Sequence, residues 1–304
     1  YTLNYGLGDW IAFDTSTPVG ITATMGYQQS AAAMMTIATL LGKVDDAEKY
    51  QQLNEKILAA FHHKFFNFTS KSSYGSGSQA SNAIAFDIGA VPAEYETAVL
   101  NTLVQSVEDD GYHLTVGEIA LPSLIRSLQA GGRDDVVLNM MSQTTNASYG
   151  FQVTNGATSL WEDWDGVFRT TGSLNHMMLG YGDAWLLGLA GMWQANTSIA
   201  WKKIEFAPPA SVVGNLTSAK FEYRTPRGWA GATWTLHQDG TLEYDVTVPV
   251  GSTGLVFFEK GEVTEGGRKL NGHSDVLALE QLGAGMTVVM VGSGSYSFVA
   301  AGYR

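Results

Sequence analysis

Five consecutive positions, Trp161-Glu162-Asp163-Trp164-Asp165, hold three carboxylates and two indoles in a 304-residue chain of which only 15% is charged. An indole face supports the apolar face of a sugar ring, and a carboxylate beside it can act as an acid or base on that ring. Hydrolysing a glycoside takes one carboxylic acid to protonate the leaving oxygen and one carboxylate working on the opposite face of the sugar. Inversion leaves room for a water, with the pair roughly 6.5–9.5 Å apart, whereas retention brings them to about 5 Å. Glu162 is therefore the candidate catalytic carboxylate. An acid between tryptophans also fits a plain loop residue, solvated or bonded to a helix N-terminus.

The elements that must position this stretch read as helical hairpins. Thr17 and Pro18 open a helix whose apolar residues Ile21, Met25, Ala32, Met35 and Leu40 run to a stop at Gly42. Asp45 or Asp46 caps a second, with the stripe Tyr50, Leu53, Ile57, Phe61. Further helices are expected over 80–88, from Pro92 to Asp109, over 118–130 and after Asp134. Beyond the tryptophan-rich loop, residues 175–194 carry Met178, Tyr181, Trp185, Leu189 and Met192 at helical spacing and predict one long buried helix, with Trp185 and Trp193 in the core. That makes about seven helices.

From Trp201 alternation replaces helical spacing: Phe221 with Tyr223, Trp234 with Leu236, Leu242 with Tyr244, Val246 and Val248. Asp239-Gly240 reads as a hairpin turn. The expected division is a helical domain over residues 1–197 and an antiparallel β-sandwich over 198–304.

Composition closes off other classes. Seventeen basic against 29 acidic residues give a net charge of -12 with no basic cluster, which excludes nucleic acid and anionic lipid as partners. No run approaches the roughly 18 apolar residues of a membrane span. Cysteine is absent, so neither disulfides nor thiolate chemistry operate. Metal-ligand spacings are lacking, no calcium loop is present, and hydrolysis of this type needs no cofactor. Asn67, Asn146, Asn196 and Asn215 head four N-glycosylation sequons. The expectation is a secreted, extracellular glycoprotein. The chain starts at Tyr1 without a signal peptide, which fits a processed product or a fragment.

Several motifs in order carry a resemblance: Gly8-Asp9-Trp10, Thr17-Pro18, Leu41-Gly42-Lys43, Gly156-Ala157-Thr158-Ser159-Leu160-Trp161-Glu162-Asp163-Trp164, Ser173-Leu174-Asn175-His176 and Gly188. With Lys202-Lys203-Ile204, Pro208-Pro209, the stretch from Tyr223 to Gly228 and Val246 to Pro249, they cover nearly the whole chain. The chain resembles α-L-rhamnosidases of glycoside hydrolase family 78. The resemblance implies an α + β multidomain protein, an incomplete (α/α)6 barrel followed by an antiparallel β-sandwich. About seven helices cannot close a twelve-helix toroid, so the first five or so are expected to be missing.

The resemblance also assigns roles. It implies an inverting exo-glycosidase that removes terminal α-L-rhamnosyl residues from plant glycosides or pectic glycans. Glu162 matches the general base. Trp10 matches a sugar-stacking indole and His176 a contact to a rhamnose hydroxyl. Asp9 is divided between a sugar hydroxyl and holding its loop, and Trp161 and Trp164 between pocket wall and loop anchor. Asp163 and Asp165 are expected to serve the loop. The family's general acid lies in an Arg-, Gly- and Trp-rich acidic motif that these residues do not contain, so a missing N-terminal segment or a second chain is expected to supply it. Leu114-Thr115-Val116-Gly117-Glu118-Ile119 departs from the family pattern. Glu118 there either tunes the subsite beyond rhamnose or favours a helix N-terminus, and the second is the simpler reading. Rival functions are another (α/α)6-barrel glycosidase, a polysaccharide lyase, or a non-catalytic carbohydrate-binding protein.

Overall fold

The computed structural model describes residues 1–170, 172–196, 198–208, 216–282 and 285–303. Two compact units divide the chain, Tyr1–Gly182 and Asp183–Arg304. The first is helical, with α1 (Val19–Leu40), α2 (Val44–Phe65), α3 (Gln79–Asp87), α4 (Ala93–Asp109), α5 (Leu121–Ala130), α6 (Asp134–Ser142) and α7 (Tyr149–Thr154). α8 (Gly182–Leu189) opens the second.

Local chemistry sets the helix ends. Ser78 caps α3 by accepting the Ser81 amide, and Ser148 caps α7 by accepting that of Phe151. Asp45 and Asp46 lie in the first turn of α2, where carboxylates offset the helix dipole. Gly42, at φ +66, ends α1, and the following Lys43 amide bonds back to Ala38. α1 and α2 then fold into a hairpin over Ile21, Met25, Ile57 and Phe61, all buried.

α3 is the hub of this unit, with every residue from Gln79 to Ala85 buried. Its small side chains let α5 approach closely. Ser127 Oγ donates to the Ala83 carbonyl at 2.9 Å, and Arg126 forks onto the Asp87 carboxylate at 2.6 and 2.7 Å. α5 starts at Leu121, not at 118 as its apolar spacing predicts. Residues 117–120 stay in a turn because other loops hold their amides.

The long helix expected over 175–194 is also not formed. Only Gly182–Leu189 is helical, Met177 is 83% exposed, and Met192–Gln194 is a strand. Backbone crossing decides this. A Cβ on Gly191, at φ +72, would stand 2.1 Å from the Ala207 carbonyl oxygen, so the chain turns there into sheet pairing. Trp185 is buried as expected, whereas Trp193 is partly exposed and donates its indole N–H to Glu205. The sheet domain thus begins upstream of the 197/198 division read from the sequence.

The second unit packs two sheets. Strands β1 (Met192–Gln194), β2 (Lys203–Phe206), β6 (Thr253–Phe258), β10 (Thr287–Val291) and β9 (Val276–Gln281) form one sheet in the order β1-β2-β6-β10-β9. The other runs β3-β4-β5-β11-β7-β8, with β3 (Ser218–Thr225), β4 (Gly228–Leu236), β5 (Leu242–Val248), β7 (Glu262–Glu265), β8 (Arg268–Lys269) and β11 (Gly294–Ala301). Pairing is antiparallel except between β2 and β6, which run parallel. Asp239-Gly240 does turn the β4–β5 hairpin, with Gly240 at φ +83. Inward residues of both sheets share one core: Phe206, Val256, Phe258 and Val289 from the first, Trp234, Tyr244, Val246 and Phe298 from the second.

Buried Tyr244 extends its hydroxyl to the carbonyls of Ala190 and Gly191, tying the segment between α8 and β1 to the core. Burial pushes its phenol well above the ordinary range. Replacing Tyr244 by Phe should lower stability by about 1–2 kcal/mol, the cost of leaving buried carbonyls without a donor, as read by urea denaturation.

Candidate active site

Three loops of the helical unit meet around residues 114–120, which are buried at Leu114, Val116, Gly117, Glu118 and Ala120. Asp9 clasps them from one side. Its Oδ2 accepts the Gly117 amide at 2.8 Å, and its Oδ1 accepts those of Ile119 and Ala120 at 3.1 and 2.9 Å. Burial pushes the Asp9 carboxyl up, against the pull of these three amides. The Glu118 amide returns a bond to the Trp10 carbonyl at 2.9 Å. The two backbones are so close that a Cβ on Gly117 would stand 2.1 Å from that carbonyl oxygen. Asp9 thus fastens the loop, one of the two roles read for it from the sequence, and it also lines the cleft described below.

From the other side comes the Trp-Glu loop. Trp164 is buried, donates its indole N–H to the Val116 carbonyl at 2.9 Å and packs edge-on against Tyr149. Trp161 is buried as well, with Gly166 lying against its ring. Neither lines the cleft described below, so both are anchors, and their assignment to sugar binding is corrected. The three acids divide the remaining work. Asp163, buried, and Asp165 hold Arg169, at 3.3 and 2.9 Å. Burial, reinforced by Asp165 and Glu162, raises the Asp163 carboxyl while Arg169 lowers it.

Glu162 remains partly exposed, and its Oε2 accepts the Ser173 amide at 2.7 Å while its own amide bonds back to the Ser173 carbonyl. That double tie fixes where the carboxylate points. A cleft of about 640 Å³ is lined by Glu162, Asp163, Arg169, Gly172 and residues from Leu7 to Thr17, Trp10 among them. Trp10 is 44% exposed and also borders a second cleft that reaches Glu118. The structure therefore brings Glu162 and Trp10 to one cavity. His176 does not line that cleft but stands beside Glu162, its Nδ1 3.9 Å from Glu162 Oε2 and its amide pinned to the Leu160 carbonyl.

Glu118 is the site residue that sequence reasoning assigned elsewhere. It sits just ahead of α5, yet the amides it was expected to favour are taken: Ile119 and Ala120 by Asp9, Leu121 by the Gly117 carbonyl. Its Oε1 instead lies 3.2 Å from His176 Nε2. Burial, then Glu162, Asp163 and Asp9, push its carboxyl up, and His176 pulls it down. An extra acid in a loop flanked by glycine was the available signal.

Among the described residues one group elsewhere has the makings of a metal site, Glu265 with His273 and Asp275. His273 Nδ1 accepts the Asp275 amide and its Nε2 faces Glu265 at 3.0 Å, the pattern of a neutral histidine bonded on both sides. Coordination through Nε2 would move the proton to Nδ1 and point it at an N–H.

Of the sequon asparagines, Asn67 and Asn196 are exposed. Asn146 is a poor acceptor, because its Oδ1 is buried and its partner Ser148 is fully buried as the α7 cap. Asn215 lies outside the described residues.

The family model of the bacterial alpha-L-rhamnosidase 6 hairpin glycosidase domain matches residues 2–188. The chain belongs to this family. The bacterial alpha-L-rhamnosidase C-terminal domain matches residues 193–272. An alpha-L-rhamnosidase of Streptomyces avermitilis is 27% identical over 301 residues, covering 96% of this chain and 28% of the relative. The crystal structure of a Streptomyces avermitilis alpha-L-rhamnosidase complexed with L-rhamnose matches at TM-score 0.83 and 26% identity, over 98% of this chain and 28% of that one. An alpha-L-rhamnosidase structure from Dictyoglumus thermophilum matches at TM-score 0.84 and 31% identity, over 98% of this chain and 34% of that one. The chain thus spans about a third or less of these relatives. Its hairpins form part of a six-hairpin barrel, as the motifs implied.

Two expectations follow for this family member. Asp9→Ala leaves three loop amides without their acceptor and should cost roughly 3 kcal/mol, measured by chemical denaturation. For Glu118 the folded carboxyl titrates above its unfolded value, so its ionisation opposes folding. That cost is absent below the unfolded value and grows as pH rises through the interval to the folded one. Glu118→Gln should melt no lower than wild type at pH 7, and the gap should close as pH falls toward about 4.

Proposed function

We propose that this chain is the C-terminal part of an inverting exo-α-L-rhamnosidase acting on terminal α-L-rhamnosyl residues of plant glycosides or pectic glycans. The observation that carries the reading is Glu162, a partly exposed carboxylate tied at Oε2 to the Ser173 amide and sharing a cleft with the exposed Trp10 indole. As general base, Glu162 takes a proton from a water that attacks the anomeric carbon, while Trp10 offers its ring to the sugar and His176 a hydroxyl contact.

The general acid comes from a segment preceding this chain or from a second chain. Two observations support that division. The relatives are three to four times longer, by the 28% and 34% coverage. Tyr5 and Leu7, next to the cleft loop, are 94% and 79% exposed, apolar surface that further barrel helices would cover. Secretion is part of the proposal, supported by exposed Asn67, whose turn uses the carboxamide oxygen and spares the nitrogen.

The full-length protein should hydrolyse nitrophenyl α-L-rhamnoside, and Glu162→Gln should lower kcat by about a thousandfold while rhamnose still binds. NMR of the first-formed sugar should show the β anomer. Wild-type turnover in Glu162→Gln, or the α anomer first, overturns the assignment. Release of a different sugar, eliminative cleavage of a uronate, or binding without turnover would each favour one of the rival readings.

A further inference from the structure

We propose that Glu118 is a positioning residue for His176: its carboxylate engages imidazole Nε2 and leaves Nδ1 turned toward Glu162, where the sugar hydroxyl is read. The proposal rests on the rhamnosidase reading for its consequence, though not for its geometry. Glu118 is 6% exposed, and its Oε1 is a buried oxygen with no hydrogen-bond partner among the described residues. That oxygen lies 3.2 Å from His176 Nε2 without a formed hydrogen bond, and bonds of this kind commonly tighten only when substrate is bound. The opposite nitrogen lies 3.9 Å from Glu162 Oε2, too far for a direct bond.

A buried carboxylate with an unsatisfied oxygen is a net cost to folding, so local stability does not account for it. It does not serve the start of α5 either, where the Ile119, Ala120 and Leu121 amides are already taken. Its reach to the imidazole does account for it. Which imidazole nitrogen carries the proton is set by the partner of the other, so an acceptor at Nε2 selects the Nε2–H form. The charged groups around the pair are Glu162, Asp163 and Asp9, each raising the Glu118 carboxyl, with Arg169 engaged by Asp163 and Asp165. Glu118 also fastens its own amide to the Trp10 carbonyl, so one residue links the stacking indole to the histidine.

The test uses the full-length protein and follows the His176 imidazole by NMR, assigned by its loss in His176→Asn. In Glu118→Gln the two His176 ring 15N resonances should move away from the pattern of an imidazole held as the Nε2–H form, and in Glu118→Asp by less. With nitrophenyl α-L-rhamnoside, KM should rise about tenfold in Glu118→Gln while kcat changes by less than about threefold. Unchanged His176 ring 15N resonances in folded Glu118→Gln overturn the proposal, and if that variant does not fold, unchanged resonances in Glu118→Asp do so. A wild-type protein that hydrolyses no rhamnoside sinks the functional reading alone, because the imidazole resonances are read without turnover.

Discussion

The buried backbone of residues 114–120 is the constraint on which the site depends. Amides and carbonyls taken from water must find partners, and here nearly every partner comes from another loop of the site. Asp9 and the Trp10 carbonyl meet the stretch after Val116, the Trp164 indole meets Val116 itself, and the Asp14 amide meets Thr115. Satisfying this one segment and assembling the cleft are therefore the same event. The arrangement also forbids a side chain at Gly117, where the Trp10 backbone occupies the space a Cβ would need.

Helix ends explain where the segment sits. α5 begins just beyond it, α1 begins beyond the Asp9 loop, and the α3 cap Ser78 bonds Thr17 at 2.8 Å. Starting ends of helices gather exposed N–H groups and positive partial charge, which suits a site rich in carboxylates. Asp9, Glu118, Glu162 and Asp163 crowd together, with Arg169 on Asp163 and the His176 imidazole beside Glu118. Burial raises the carboxyls of Asp9, Glu118 and Asp163. Glu162 keeps contact with solvent and an amide donor at Oε2.

How much of this the sequence discloses depends on which force decides each feature. α2 and α4 are legible because burial of one face imposes a spacing, and the alternation of β5 is legible for the same reason. The helix expected over 175–194 failed because Gly191 must let another backbone pass, a tertiary demand invisible to periodicity. Glu162 could be singled out by its neighbours in sequence. The job of Glu118 could not, since it depends on His176, 58 positions later, and on Asp9 having already taken the helix-end amides.

The tryptophan-acid stretch does a different job from the one its composition suggests. Two indoles beside a carboxylate look like a sugar platform, yet Trp161 and Trp164 face inward and leave Glu162 and Asp163 to line the cleft. Their bulk is what makes the short loop rigid: a buried indole has few rotamers and, in Trp164, a hydrogen bond that fixes its depth. Rigidity matters more here than an additional stacking face, because a base must hold its water within hydrogen-bond reach of the carboxylate throughout the reaction. In the proposed function the aromatic contact to the sugar falls to Trp10, on a loop far away in sequence, and Asp9 anchors that loop to the segment that Trp164 also grips. Motif and pocket are joined through residues 114–120, and the chemistry proposed for Glu162 relies on that junction as much as on the carboxylate itself.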